Sequence, residues 1–173
     1  GNVIIADSLN MEAGSNSLSF LQGEFDFAAV DPPIGVRVDD SRLDKFALGQ
    51  AKKTQTSEAL FFEFTYSLLK PSGKMAIMLP DAFLSSETTL DAREYALRET
   101  TIKAIVSLPQ NASAAASIKA SLVLLERPTR RNDGKKDVFV GSLDSFSNTE
   151  QIVSAFRDYE QRRTPSARDN AFV

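Results

Sequence analysis

Apolar positions along this chain fall into two rhythms. Short runs rich in β-branched residues predict strands at Val3-Ile4-Ile5-Ala6, Phe25 to Val30, Lys74 to Leu79, Ile102 to Leu108 and Ala120 to Leu125, with a weaker one at Asp137 to Val140. Helical spacing takes over between them. Leu60, Phe61, Phe64 and Leu68 share one face of a helix that Ser57 is placed to cap and that Lys70-Pro71-Ser72-Gly73 ends. A second helix is predicted over roughly Thr89 to Glu99. A third runs from about Thr149 to Arg162, with Asn148 and Gln151 spaced as a capping box and Ile152, Val153, Phe156 and Tyr159 on one side.

Punctuation separates these elements. Gly14 to Gly23 is polar and reads as a short helix or turn. Asp31-Pro32-Pro33 must stop the second strand, because two successive prolines can neither donate to a ladder nor extend a central strand. Residues 34–56 hold eight charges and few large apolar residues, which predicts a functional or disordered loop. Pro80-Asp81 opens a linker, Asn111 to Ser117 fits no pattern well, and 164–173 reads as a frayed tail. No internal repeat is visible. Apolar strands alternating with helices predict one α/β domain over residues 1–163, with a mixed sheet covered on both faces. Two late strands without a good helix between them predict an antiparallel edge.

Composition narrows the chemistry. The chain is 42% hydrophobic and carries neither cysteine nor histidine. Cys–His and Ser–His–Asp catalysis and the usual zinc sites are thereby excluded. No apolar run approaches the roughly 20 residues needed to cross a bilayer, and Gly1-Asn2-Val3 does not read as a signal peptide, so the expected location is the cytoplasm, without a membrane partner. A net charge of −3 argues against binding nucleic acid through overall charge. Arg127, Arg130, Arg131, Lys135 and Lys136 form a local basic stretch, which reads first as a solvated hairpin loop turning at Asn132-Asp133-Gly134 and second as a nucleic-acid patch.

Ligands of open α/β sheets sit at the carboxyl ends of the strands, which singles out Asp7-Ser8 and Asp31-Pro32-Pro33-Ile34-Gly35. An ionised Asp only accepts hydrogen bonds, and the prolines aim the Pro32 carbonyl without a competing N–H. Two such acceptors suit an exocyclic NH2 group and the positive charge that develops as it attacks a methyl sulfonium. On the tripeptide alone, a turn ahead of a proline pair is the commoner meaning.

Phe25 to Gly35 (FDFAAVDPPIG) resembles the strand and [Asn/Asp]-Pro-Pro-[aromatic] motif of amino-methyltransferases. Phe61 to Phe83, Ala92 to Arg98, Ile102 to Pro109 and Ile118 to Glu126 then resemble, in order, further segments of the type I restriction-modification N6-adenine DNA methyltransferase family. The resemblance spans about residues 3 to 127. It implies a seven-stranded sheet of order 3-2-1-4-5-7-6 that binds S-adenosylmethionine, with DNA and the specificity and restriction subunits as partners. It places Asp7 and Ser8 against the cofactor, Asp31, Pro32 and Pro33 at the target amine, and Ile34 beside a flipped adenine, since the amine cannot otherwise reach the sulfonium. Asp81, at the next strand end, is a pocket or a turn residue.

This sequence departs from the family pattern in three ways. The glycine-rich Phe-x-Gly-x-Gly loop and the acidic ribose-binding residue belong upstream of Val3, so the chain reads as the downstream half of a catalytic domain. Such a piece is expected to be inactive alone and to pair its first two strands with each other or to dimerise. Ile34 stands where a Tyr or Phe would stack on the base, a loss of roughly 1–3 kcal/mol. The second stacking aromatic is expected within residues 110–116, which contain none. A degenerate methyltransferase-like binding or assembly subunit is therefore the alternative, and a small-molecule or protein-glutamine amino-methyltransferase a third reading. A cytosine-C5 enzyme is excluded by the missing cysteine.

Overall fold

The computed structural model describes residues 3, 5, 7–9, 21–39, 41–110, 112, 118–129 and 137–163. Strand β1 (Phe25–Val30) leads through a short ribbon of β2 (Arg37–Val38) and β3 (Gln55–Thr56) into helix α1 (Ser57–Leu68). Next come β4 (Leu69–Pro80), α2 (Asp81–Ser85), α3 (Leu90–Glu99), β5 (Thr101–Ser107), β6 (Ala120–Glu126), β7 (Phe139–Ser142) and α4 (Thr149–Arg163).

The main sheet has the order β1-β4-β6-β5-β7. Its first four positions match the 4-5-7-6 tail of the expected order, and the fold class is the α/β class expected of S-adenosylmethionine-dependent methyltransferases. Strand β6 runs antiparallel to both β4 and β5, whereas β1 pairs parallel with β4 and β7 parallel with β5. The reversed strand is thus interior. The expected antiparallel edge is instead a parallel one, formed by β7, and the stretch from Arg127 to Lys136 cannot turn a β6–β7 hairpin, because those strands are not neighbours. Residues 130–136 themselves lie outside the described set, as do 10–20, 111, 113–117 and 164–173.

Alternation in β4 shows how the core is made. Met75, Ile77 and Leu79 are buried on one face, where Val123 and Leu125 of β6 join them beneath Ala59 and Phe62 of α1 and Phe83 and Ala92 of the following helices. Registers Ala76↔Leu124, Ala104↔Leu124 and Ala104↔Phe139 place Phe139 on the opposite face. There its ring meets Phe156 and Tyr159 of α4 at 5.5 and 5.6 Å between centroids. Lys103 strengthens this seam by pairing with Glu126 and Glu160. Further along that face Phe27 and Leu122 remain 55% and 37% exposed, so the second face is covered over its β7 side and open elsewhere among the described residues.

Three local expectations change. Thr56, not Ser57, occupies the N-cap position of α1, and Ser57 is already helical. A 3-10 turn over Phe146–Asn148, started by Ser145 accepting from the Ser147 amide, runs directly into α4 and takes the place of the capping box. The Lys70-Pro71-Ser72-Gly73 turn lies inside β4: pairing jumps from Phe25↔Leu69 to Phe27↔Lys74, so these four residues form an excursion within the strand. Arg127 closes it. Its amide donates to Gly73 O at 2.8 Å, its guanidinium donates to Leu69 O at 2.6 Å, and that guanidinium stacks 5.0 Å from the Tyr66 ring.

Val3 and Ile5, expected in the first strand, lie in no strand and are 90% and 95% exposed. An apolar tetrapeptide becomes a buried strand only against a neighbour, and among the described residues β1 pairs with β4 alone. The expected pairing of the first two strand segments is therefore not made by these residues. Residues 34–56 depart the other way. Val38, Leu43 and Phe46 are buried there and, with Leu9, pack against Leu60 and Phe64 of α1 to form a second apolar cluster. Helix α1 is consequently buried on two sides, Ala59 and Phe62 toward the sheet and Leu60 and Phe64 toward this segment.

Candidate functional site

Strand β1 ends at the proline pair, and the chain there turns over the N-terminus of α1. Asp31 and Pro33 are exposed, Pro32 is buried and Ile34 half-buried. Proline leaves residues 32 and 33 without backbone donors, so this turn can be tied down only through carbonyls or through amides further along. Both kinds of tie are present. Ser57 Oγ donates to Pro33 O at 2.6 Å, and the Gly35 amide donates to Glu58 Oε1 at 2.7 Å. The Ser57 amide adds a third by donating to Val36 O at 2.9 Å, after which β2 and β3 pair antiparallel, Arg37 opposite Thr56. Gly35 has φ +76°, in the left-handed region where glycine is unstrained, which lets its amide turn inward to the carboxylate.

The same helix holds the rest of the segment. Glu63 accepts the amides of Ala47 and Leu48 with its two carboxylate oxygens at 2.7 and 2.8 Å. Gln55 Nε2 donates to Leu48 O at 2.8 Å and to Asp91 at 3.2 Å, and Lys52 pairs with Asp91. Of the two expectations for residues 34–56, functional or disordered, the described residues fit the first: they form an ordered support for the Asp31 turn.

A cavity of about 160 Å³ opens where the N-termini of α1 and α2 meet, lined by Thr56, Glu58, Pro80, Phe83, Ser86 and Thr88 among others. Thr56 Oγ1 is buried without a hydrogen-bond partner among the described residues. Phe83, a member of the main core cluster, gives this cavity an aromatic wall. Asp81, beside this cavity, accepts from Ser121 Oγ at 2.8 Å while its amide donates to Lys119 O at 3.0 Å, which makes it a clasp between α2 and β6.

Asp7 and Ser8 are placed differently. The Asp7 carboxylate pairs with Arg42 at 3.1 Å and accepts the Leu9 amide at 3.1 Å. Ser8 lines a separate cavity of about 300 Å³ along β1 and α1 with Phe25, Phe27, Phe61 and Phe64. Among the described residues no group of three acidic side chains is placed to hold a metal, and no helix is long and apolar enough to cross a membrane.

The profile of the family described as N-6 DNA Methylase matches residues 2–163. No curated protein sequence matches the chain. Among solved structures, a Listeria monocytogenes protein assigned as a class I S-adenosylmethionine-dependent methyltransferase superposes with TM-score 0.65 at 23% identity, over 78% of this chain and 42% of that one. The type I restriction-modification system methyltransferase subunit of Streptococcus thermophilus does so with TM-score 0.64 at 20% identity, over 88% of this chain and 35% of that one. At these identities the likeness speaks for the fold, and the chain spans less than half the length of either structure.

Proposed function

The chain belongs to the N-6 DNA methylase family, and from that premise we propose that it is part of a DNA adenine-N6 methyltransferase of a restriction-modification system. One observation carries this reading. The Asp31-Pro32-Pro33 turn stands at the carboxyl end of β1 with its Asp exposed and its backbone held at Pro33, Gly35 and Val36. Ser57 takes the Pro33 carbonyl and Pro32 is buried, so the acceptor exposed to an incoming amine is the Asp31 carboxylate, with the Pro32 carbonyl the second acceptor that the motif implies. A backbone held before the substrate arrives limits the reorganisation such acceptors need to stabilise developing positive charge on the amine nitrogen, and stabilisation of that kind is usually the largest contribution to catalysis.

S-adenosylmethionine would supply the methyl group. Of Asp7 and Ser8, the residues expected to hold it, Asp7 is paired with Arg42 and Ser8 lines the separate cavity along β1 and α1, so the described residues do not by themselves assemble its site. The reading therefore rests on the amine side. Ile34 offers the base an aliphatic face in place of an aromatic one. DNA, specificity and restriction subunits are the partners it implies, and the cytoplasm its place of action. A homodimer of this piece alone, through the edge of β1 that is unpaired among the described residues, is a further corollary, decided by sedimentation of residues 1–173.

The deciding experiment is transfer of labelled methyl to adenine-containing DNA by the full-length protein with its specificity subunit, beside an Asp31→Ala control. Transfer abolished in the control supports the reading. A protein that binds cofactor and partners yet transfers nothing is the degenerate binding subunit, which the missing stacking aromatic at Ile34 favours.

A further inference from the structure

We propose that Glu58 is a positioning residue for the Asp31-Pro32-Pro33 turn, acting through the Gly35 amide. This rests on the reading of that turn as the amine site and deepens it by naming what sets its conformation. Glu58 is a carboxylate only 4% exposed, in the first turn of α1. Burying a charge is unfavourable unless it is paired or hydrogen-bonded, so such a residue needs a structural or functional reason. Its ties run to the turn. The 2.7 Å bond from Gly35 N is short, as expected for an amide donating to an ionised oxygen. The other oxygen lies 3.3 Å from Ser57 Oγ, but the single hydroxyl proton serves the nearer Pro33 carbonyl at 2.6 Å. The positive end of the helix dipole adds to the fit of a carboxylate here.

This contact is one of three by which the first turn of α1 holds the segment. The proline pair removes two donors in succession, which leaves Gly35 as the donor by which α1 grips the turn, two residues beyond the Pro33 carbonyl that Ser57 grips. Adjacent residues of one helix thus hold both sides of Ile34. That helix is a rigid support, wedged between the two apolar clusters by Ala59 and Phe62 on one side and Leu60 and Phe64 on the other. Glu58 also lines the cavity beside Pro80 and Phe83. Releasing Gly35 would let the Asp31 and Pro32 acceptors drift, and a misplacement of about 1 Å can reduce a rate by roughly a hundredfold.

The test compares Glu58→Ala with Glu58→Gln, whose amide oxygen can still accept from Gly35, in the full-length protein with its specificity subunit. Glu58→Ala should lower kcat by about tenfold to a hundredfold with S-adenosylmethionine affinity unchanged, and Glu58→Gln by no more than about threefold. Hydrogen exchange at the Gly35 amide gives an independent reading: about tenfold faster in Glu58→Ala, near wild type in Glu58→Gln. If Glu58→Ala does not fold, Glu58→Asp, one methylene too short for the contact, takes its place with the same expectation. Equal damage from the Ala and Gln variants, or unchanged exchange at Gly35, overturns the proposal. A wild-type protein that transfers no methyl refutes the amine-site reading instead, while Gly35 exchange still decides whether Glu58 holds the turn.

Discussion

Val3 and Ile5, on the one hand, and the described residues of 34–56, on the other, reversed roles between sequence and structure. Val3 and Ile5 belong to one of the most apolar stretches of the chain, yet both are almost fully exposed. The 34–56 segment carries eight charges, yet it contributes Val38, Leu43, Phe46 and Leu48 to apolar clusters. Hydrophobicity supplies the driving force for burial, but a surface to bury against decides whether it is realised. Helix α1 offers such a surface to the second segment, and among the described residues β1 has no partner on the side where the first would lie.

Substitutions can break or sharpen this contrast. The largest effect is expected at Phe46, 1% exposed, where Phe46→Ala should destabilise the fold by about 3–5 kcal/mol, against about 0.5 kcal/mol or less for Ile5→Ala. Chemical denaturation of the two variants measures the difference, and equal costs would dissolve the comparison. Glu63→Ala comes next, because it leaves the Ala47 and Leu48 amides without their acceptors; partial exposure limits the loss to about 1–2 kcal/mol, with a matching rise in proteolysis across 40–55. The smallest belongs to Arg42→Ala. Its pair with Asp7 is partly exposed, so a loss of about 0–1 kcal/mol that fades with added salt is expected in thermal melts.

Legibility followed the range of the interaction. Strand β1, the stop at Asp31-Pro32-Pro33, the body of α1, β5, β6 and α4 were readable because alternation, helical spacing and proline act within a few residues. The position of β6 between β4 and β5 followed from the family resemblance and not from its own residues, whose pattern suggested only a late strand near an edge. Strand β7 was misjudged for the same reason: a run that looks like the return arm of a hairpin pairs instead with β5. At the site, the Asp31 turn was legible as a motif, whereas Glu58 was not, since an acidic residue in a helical first turn usually reflects nothing beyond the helix dipole.

By itself the sequence determined which residues can form strands and helices, that histidine and cysteine chemistry is closed to this chain, and that an Asp followed by two prolines ends a strand where ligands of α/β sheets bind. Tertiary structure alone decided that the charged segment is core, that Asp7 turns to Arg42, and that Ser57 and Glu58 hold the turn on either side of Ile34. The division has a physical cause. Backbone preference and side-chain periodicity are set by near neighbours, but burial of a carboxylate or a phenylalanine depends on a surface brought up from distant positions, and that surface exists only once the chain has folded.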